Sequence, residues 1–440
     1  MFPGCCFRVE SEGHALANSG GRRLGRVLVW CGVGVFLGPA LAVVVLAEEP
    51  VEVISPATPP RKQARSLDEW REVMKSLDFQ SPAASAEVPG LIELVEDETV
   101  PWFTRRQAAL TLGRIGQPAA QAVPLLERYA TGPVGDRETS PPLWAVKALA
   151  LFGSVAAPAT PTLARLVGDP LTDPAVRLMS TEALGRIGSA HPLALATIVE
   201  LLRSHAPLLE PGRMRAGAEL DLIAAAIECL ELFRGDAASS VPVLLRFSED
   251  RADRIRRAVA VTLGAIGPRA SDAASRLAMM AVADPSLDVR DVAAVSLGKV
   301  GGAEWLAKML GHSDTETRER GATGLGHAPP TDPQVSGALS LARSDDSPRV
   351  RIAAIEATEH WHSDPALTAP AAAREIIGVD RSVRLRAIRF LTKLGPLASP
   401  ALPILAPLRN DPDPQVRQSA EKLIHGIESP DSTAKRPPAQ

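Results

Sequence analysis

The chain holds a single tyrosine among its 440 residues, and aromatic side chains are 4% of it although the hydrophobic fraction is 45%. Its apolar material is therefore alanine, leucine and valine, which suits close packing of helix on helix. The same composition offers little surface for stacking on bases or sugar rings. Cysteine is scarce: Cys5, Cys6 and Cys31 lie near the N-terminus and Cys229 alone lies in the body. That excludes a disulfide framework and a thiolate zinc site there. No Cys-x-x-Cys-His occurs, which excludes haem attachment by that motif. An excess of positive charge is lacking as well. The formal net charge is −3, and setting residues 1–47 aside leaves 44 basic against 49 acidic residues, or −5. Affinity for nucleic acid rests on neutralising phosphates, so no nucleic-acid partner is expected.

One long stretch has no charge at all: Val27–Ala47, 21 residues preceded by Arg22, Arg23 and Arg26. As a straight helix it would span roughly 30 Å, the thickness of a bilayer core. Residues 1–47 read in one of two ways. Either they are a secretory signal, with Pro39 ending the apolar run and Ala40–Ala42 or Val45–Ala47 offering small residues for cleavage, or they are a retained membrane anchor. Both readings leave the arginines in the cytoplasm and the repeat body outside it, with contact to the membrane only through this segment. Residues 48–65, with Pro50, Pro56, Pro59 and Pro60, read as an extended linker. Ser66 and Glu69 have capping-box spacing, and Leu67, Trp70, Val73, Met74 and Leu77 share one helical face. This predicts a capping helix and turn over 66–87.

From 88 to 427 one phrase recurs, as "DRIRRAVAVTLGAIG" from Asp253 and "DVRDVAAVSLGKVGG" from Asp288. With its arginine taken as position 1, Arg256, Arg290, Arg318, Arg351, Arg384 and Arg417 follow at intervals of 34, 28, 33, 33 and 33 residues. Arg105 and Arg177 fit the same frame upstream. Position 8 is leucine (Leu112, Leu184, Leu263, Leu297), position 11 is a bulky apolar residue, and position 12 is often glycine (Gly116, Gly153, Gly188, Gly267, Gly301, Gly395). Positions 4, 8 and 11 make one buried helical stripe, and the glycine supplies the left-handed turn that ends it. A second apolar stretch with proline in its first turn follows, as in Val123–Leu126, Val241–Leu245 and Leu402–Leu405. Asp173, Asp314, Asp380 and Asp413 stand four residues before an arginine, placed to cap the next helix. A helix pair of about 33 residues cannot bury its stripe alone, but stacked pairs bury a continuous core. The expected fold is all-α, an α-solenoid of about ten antiparallel helix pairs.

This run of acidic turn, "VR", alanine, "LG" and "IG" resembles the HEAT-repeat family, especially the short bacterial repeats also seen in phycobilisome-lyase-type proteins. The resemblance spans about Val88 to Ile427. It implies a hydrogen-bonded ladder between neighbouring units, made by Arg105, Arg177, Arg256, Arg290, Arg318, Arg351, Arg384 and Arg417 with the turn aspartates Asp284, Asp288, Asp380 and Asp413. The implied pairs are Asp284 or Asp288 with Arg290, Asp380 with Arg384, and Asp411 or Asp413 with Arg417. It also implies that the arginine-bearing helices line a concave face and that the protein acts as a scaffold. Position 1 departs to Pro142 and Ile223, each after an insertion, Thr131–Pro141 and Ser204–Arg215.

Chemistry-bearing patterns are few. Glu359, His360, His362 and Asp364 are the only dense set of potential metal ligands, but Trp361 takes core position 11 and His362 the turn position. They read as repeat text, so no metal is expected. No Gly-x-Ser-x-Gly, strand-borne phosphate loop or His-Glu dipeptide occurs, so no catalytic residue or cofactor is expected. Cys229 reads as a buried small hydrophobe. The basic runs Arg251–Arg257 and Arg381–Arg389 have acidic neighbours and read as solvated faces. The expected function is an exported or membrane-tethered scaffold binding a protein partner in its groove. The binding residues are expected at positions 2, 6 and 10: Arg106, Arg114, Arg186, Arg257, Asp291, Lys299, Glu319, Glu356, Arg389 and Lys393. The alternatives are a lyase-type or chaperone-like protein acting on a chromophore or modified protein near His360 or Cys229, and a purely structural envelope spacer. Residues 428–440 are polar and proline-rich and read as a disordered tail.

Overall fold

The computed structural model of the protein describes residues 65–133, 140–206, 217–329, 331–358, 364–378 and 380–428. The signal or anchor segment, the linker to residue 64, the Glu359–His362 cluster, most of both insertions and the tail from 429 lie outside the described residues. Among those described, every regular element is helical and there is no strand.

Two helices, α1 (Leu67–Ser76) and α2 (Pro82–Glu96), come first. The array continues with α3 (Trp102–Ile115), α4 (Val123–Ala130), α5 (Pro141–Phe152), α6 (Thr160–Gly168), α7 (Pro174–Ile187), α8 (Pro192–His205), α9 (Gly217–Phe233) and α10 (Val241–Phe247). Next are α11 (Asp253–Ile266), α12 (Ala274–Ala283), α13 (Leu287–Lys299), α14 (Ala303–Met309), α15 (Thr315–Leu325) and α16 (Pro333–Ala342). It closes with α17 (Pro348–Ala357), α18 (Pro365–Glu375), α19 (Arg381–Leu394), α20 (Leu402–Leu405) and α21 (Pro414–Glu428). From α3 to α21 the odd-numbered helices pack on one another in chain order, and the even-numbered helices form a second row beside them. The fold is an α-solenoid of stacked helix pairs.

Local sequence accounts for this arrangement. In the odd row, positions 4, 8 and 11 are buried, as Ala108, Leu112 and Ile115 in α3 and Val259, Leu263 and Ile266 in α11. Gly116, Gly153, Gly188, Gly267, Gly301 and Gly395 end their helices at positive φ. In α9 the same place falls to Arg234, which is forced to φ 50°. A short 3-10 turn then leads into most even-numbered helices, several of which have proline as their second residue, such as Pro124, Pro161 or Pro242. Between α13 and α14 that turn shrinks to Val300–Gly302, which accounts for the one 28-residue interval.

The first described helix, α1, packs against the start of the array. Ser66 and Glu69 form the reciprocal capping box, the Ser66 N–H donating to Glu69 at 2.6 Å and the Glu69 N–H to Ser66 Oγ at 3.3 Å. Trp70 lies against Gly90 so closely that a Cβ there would stand 2.5 Å from its ring. The boundary expected between 87 and 88 falls inside α2, because Pro82 opens that helix and Pro89 is carried within it. Among the described residues, only Pro141–Gly168 has the length and hydropathy to cross a membrane, and most of it is buried as α5 and α6.

Candidate protein-binding cleft

Every position-1 arginine is the fourth residue of its helix, in α3, α7, α11, α13, α15, α17, α19 and α21 alike. A helical side chain leans toward the N-terminus, so the guanidinium falls back over the turn that starts the helix. Arg256 shows the full pattern. Its Nη1 donates to the carbonyls of Asp250 and Arg251, both at 2.9 Å, while Nε and Nη2 donate to the two Asp284 oxygens at 2.7 and 2.8 Å. Arg318 repeats it with Asp345, at 2.9 and 3.1 Å. Arg351 repeats it with Glu375, at 2.7 and 2.9 Å. Arg384 reaches Asp413 at 3.2 Å.

The ladder thus runs forward: Arg256, Arg318, Arg351 and Arg384 each reach a carboxylate 24 to 29 residues downstream. This corrects the implied pairs. Asp284 serves Arg256, and Arg290 bonds only the Asp284 carbonyl. Asp288 pairs with Arg257 at 2.7 Å. Asp380 caps α19, accepting from the backbone of Ser382 and Val383. Arg417 bonds the carbonyls of Asp411 and Pro412 and, among the described residues, no carboxylate. Asp345 and Glu375 were not among the expected residues. Their signal was available: an acid 27 or 24 residues after a position-1 arginine, at the end of an even-numbered helix. Near the N-terminus, Arg105 bonds the Val95 carbonyl and Tyr129 hydroxyl, and Arg177 the Val167 carbonyl. The two units without a ladder arginine differ in where their helix starts. Pro142 is only the second residue of α5, and Ile223 the seventh of α9, so neither position overlies a turn.

Electrostatics follow the pairing. Hydrogen bonding to Asp284, Asp345 and Glu375 raises the pKa values of Arg256, Arg318 and Arg351. Burial pushes the Asp284 and Asp345 carboxyls up, but the hydrogen bonds they accept from arginine and backbone outweigh it and hold both below the usual carboxylate value.

A second ionic system lies on the odd row itself. Arg386 of α19 donates to Glu356 of α17 at 2.5 to 3.2 Å and also to Glu319 of α15. Arg349 meets Glu319 at 2.9 Å, and Arg320 donates to Asp291 of α13 at 2.7 Å. Burial works against the Arg386 charge, yet the two carboxylates hold its pKa above the ordinary guanidinium value. Glu319 and Arg386 stand on helices with α17 between them, so their contact requires the odd row to bend inward there. A cleft of about 630 Å³ opens beside them, lined from Val261 of α11 to Arg386 of α19. A neighbouring one of about 430 Å³ shares Thr323 and Arg386 with it.

Six expected binding residues converge here. Asp291, Lys299 and Glu319 line the larger cleft, and Glu356, Arg389 and Lys393 the smaller. The other four lie elsewhere. Arg257 is held by Asp288, Arg106 and Arg114 stack on Trp102 and Phe79, and Arg186 is exposed on α7. Arg320 and Arg386, the arginines that organise the cleft, were missed as a type: both are position 3, each answering an acid on an earlier odd-numbered helix. No group of three or more potential metal ligands occurs among the described residues. Asp364, the described member of the histidine cluster, caps α18. Cys229 is buried, its Sγ donates to the Thr181 carbonyl at 3.5 Å, and burial pushes its thiol up to about 12, which leaves no thiolate for nucleophilic chemistry.

Residues 213–298 and 335–425 match the family model of HEAT repeats. These stretches are HEAT repeats, and the same helix-pair unit continues upstream to α3. No curated protein matches the chain. Among solved structures, an engineered protein is 19% identical with TM-score 0.36, covering 78% of this chain and 99% of its own. The CpcE–CpcF complex of phycocyanin lyase from Nostoc sp. PCC7120 is 21% identical with TM-score 0.34, covering 58% of this chain and 94% of its own. A mutant of Kap121p is 13% identical with TM-score 0.45, and the match covers 82% of this chain but 44% of Kap121p.

Proposed function

We propose that this chain of HEAT repeats is a protein-interaction scaffold that holds a segment of a protein partner in the odd-row cleft between α11 and α19. One observation carries the reading: a single side chain, Arg386, ties acids from two other layers and leaves beside it a cleft lined by five successive odd-numbered helices. The bound segment would be acidic. The arginines Arg320, Arg349 and Arg386 are already matched by Asp291, Glu316, Glu319 and Glu356, while Lys299 and Arg389 stay exposed. Buried Cys229 gives no support to a lyase-type nucleophile there.

The scaffold is further proposed to work outside the cytoplasm, delivered by residues 27–47 as a cleaved signal or a retained anchor. The support is the 21-residue uncharged run behind three arginines. A photo-crosslinking residue at Lys299 or Arg389 tests the cleft, with Leu341, exposed on the even row, as the control. The expected result is one adduct from both cleft positions and none from the control, the Lys299 adduct being lost on R389E and the Arg389 adduct on K299E. Equal adducts from all three positions would remove the cleft from the reading. Membrane fractionation with mass spectrometry of the N-terminus tests delivery.

A further inference from the structure

The array's own pattern sets one arginine apart. Where the ladder is complete, a guanidinium takes both oxygens of a carboxylate at the end of the following even-numbered helix: Asp284 directly after α12, Asp345 three residues after α16, Glu375 as the last residue of α18. For Arg177 the matching place is the end of α8, where the described residues are His205 and Ala206. Arg177 turns Nε to the Val167 carbonyl at 2.7 Å, and neither terminal nitrogen has a hydrogen bond or ion pair among the described residues. Burial lowers its pKa and outweighs the attraction of the nearby Asp169 carboxylate, the opposite of its carboxylate-bonded counterparts. Arg290 also bonds only a carbonyl. Arg177 adds to this a cavity of about 710 Å³ between α6 and α8, walled by Val167, Leu193, Leu195, Val199 and Leu201. Its charged lining is Arg177, Arg203 and Glu200, one positive charge in excess.

We propose that Arg177 receives a carboxylate from a protein partner: an aspartate or glutamate that follows a run of apolar residues, presented as the array presents its own Asp284 after Met280–Ala283. The apolar residues fill the α6–α8 cavity and the carboxylate takes the two terminal nitrogens of the guanidinium. This site lies on different helices from the odd-row cleft and does not rest on it.

The probe is a fluorescein-labelled peptide of the chain's own sequence, Ala278–Leu287 with an amidated end, titrated with the purified full chain and read by fluorescence anisotropy. Saturable binding is expected, weakened tenfold or more when the peptide carries asparagine at the position of Asp284, and by a similar factor in Arg177→Gln. Arg177→Lys keeps the charge without the planar fork and is expected to fall between. The asparagine peptide on the unaltered chain keeps the test valid if Arg177→Gln does not fold. Equal binding of the two peptides would overturn the proposal. So would a wild-type chain that does not bind the peptide.

Discussion

At Gly298 a methyl group would stand 2.1 Å from the Gly324 carbonyl oxygen of the neighbouring odd-numbered helix. The same position is glycine in α3, α7 and α11, where Gly113, Gly185 and Gly264 face Ala148, Cys229 and Ser296 at 2.5 to 2.6 Å. These glycines follow the position-8 leucine and let successive odd helices approach backbone to backbone. Gly298→Ala is expected to cost about 1–3 kcal/mol as overpacking against a rigid carbonyl, seen as a lower urea midpoint with unchanged slope. The turn glycines are the contrasting case. A side chain at Gly116 would meet nothing within 4 Å of its Cβ, but the backbone there sits at φ +72°. Arg234 occupies that role at φ 50° without a glycine's freedom, so Arg234→Gly is expected to stabilise the chain by about 1 kcal/mol, measured as a rise in melting temperature. The turn glycine was legible in sequence because it ends a periodic run. The packing glycine was not, because an apolar stripe is read from the side chains present, whereas this residue acts through having none.

The helix pair and its turn are the scale at which the ladder operates. Arg256 and Asp284 are both largely buried and meet through two hydrogen bonds. Asp284→Asn is expected to cost about 3 kcal/mol, because it strands a buried cation. The pH dependence has a definite sign. Folding lowers the Asp284 and Asp345 pKa values, so their contribution is fully present above the unfolded value of about 4 and is lost as pH falls through the lower folded values. Urea midpoints taken between pH 6 and pH 2 should therefore fall more steeply on the acid side for the wild type than for Asp284→Asn, and the gap between the two should close. Sequence periodicity located the arginines because each is the fourth residue of its helix. Of their carboxylates, which vary between Asp and Glu and sit 24 to 29 residues downstream, Asp284 and Asp413 were expected but with other arginines, and Asp345 and Glu375 were not expected. The resemblance implied Asp380 for Arg384, but that carboxylate accepts from two backbone N–H groups of α19, the capping role its spacing predicts.

Along the array each layer packs on its neighbours, with the Arg386–Glu319 contact across α17 as an exception, so stability is largely a sum of local terms and does not have to be lost all at once. The buried core divides accordingly. One apolar cluster runs from Met74 to Ala357 and a second from Ile352 to Ile427, and both begin or end on α17. Val350, Ala353, Ala354 and Ala357 of that helix face the first, Ile352 and Ile355 the second. Across this seam the connection is ionic as much as apolar: Arg351 to Glu375, and Arg386 to Glu356 and Glu319. The repeat count was readable from sequence, but the seam was not, since α17 carries an ordinary version of the phrase. Phe390 is buried in the second cluster, and Phe390→Ala removes about 3–5 kcal/mol from it. Amide hydrogen exchange followed by mass spectrometry should then show protection lost in α18–α21 while α3–α13 keep wild-type rates. Arg386→Met should loosen α19–α21 by a smaller amount, because it removes the charge pairs and leaves the apolar core intact. Equal loss of protection from α3 to α21 in Phe390→Ala would mean that the array unfolds as one cooperative body and that the division at α17 has no energetic consequence.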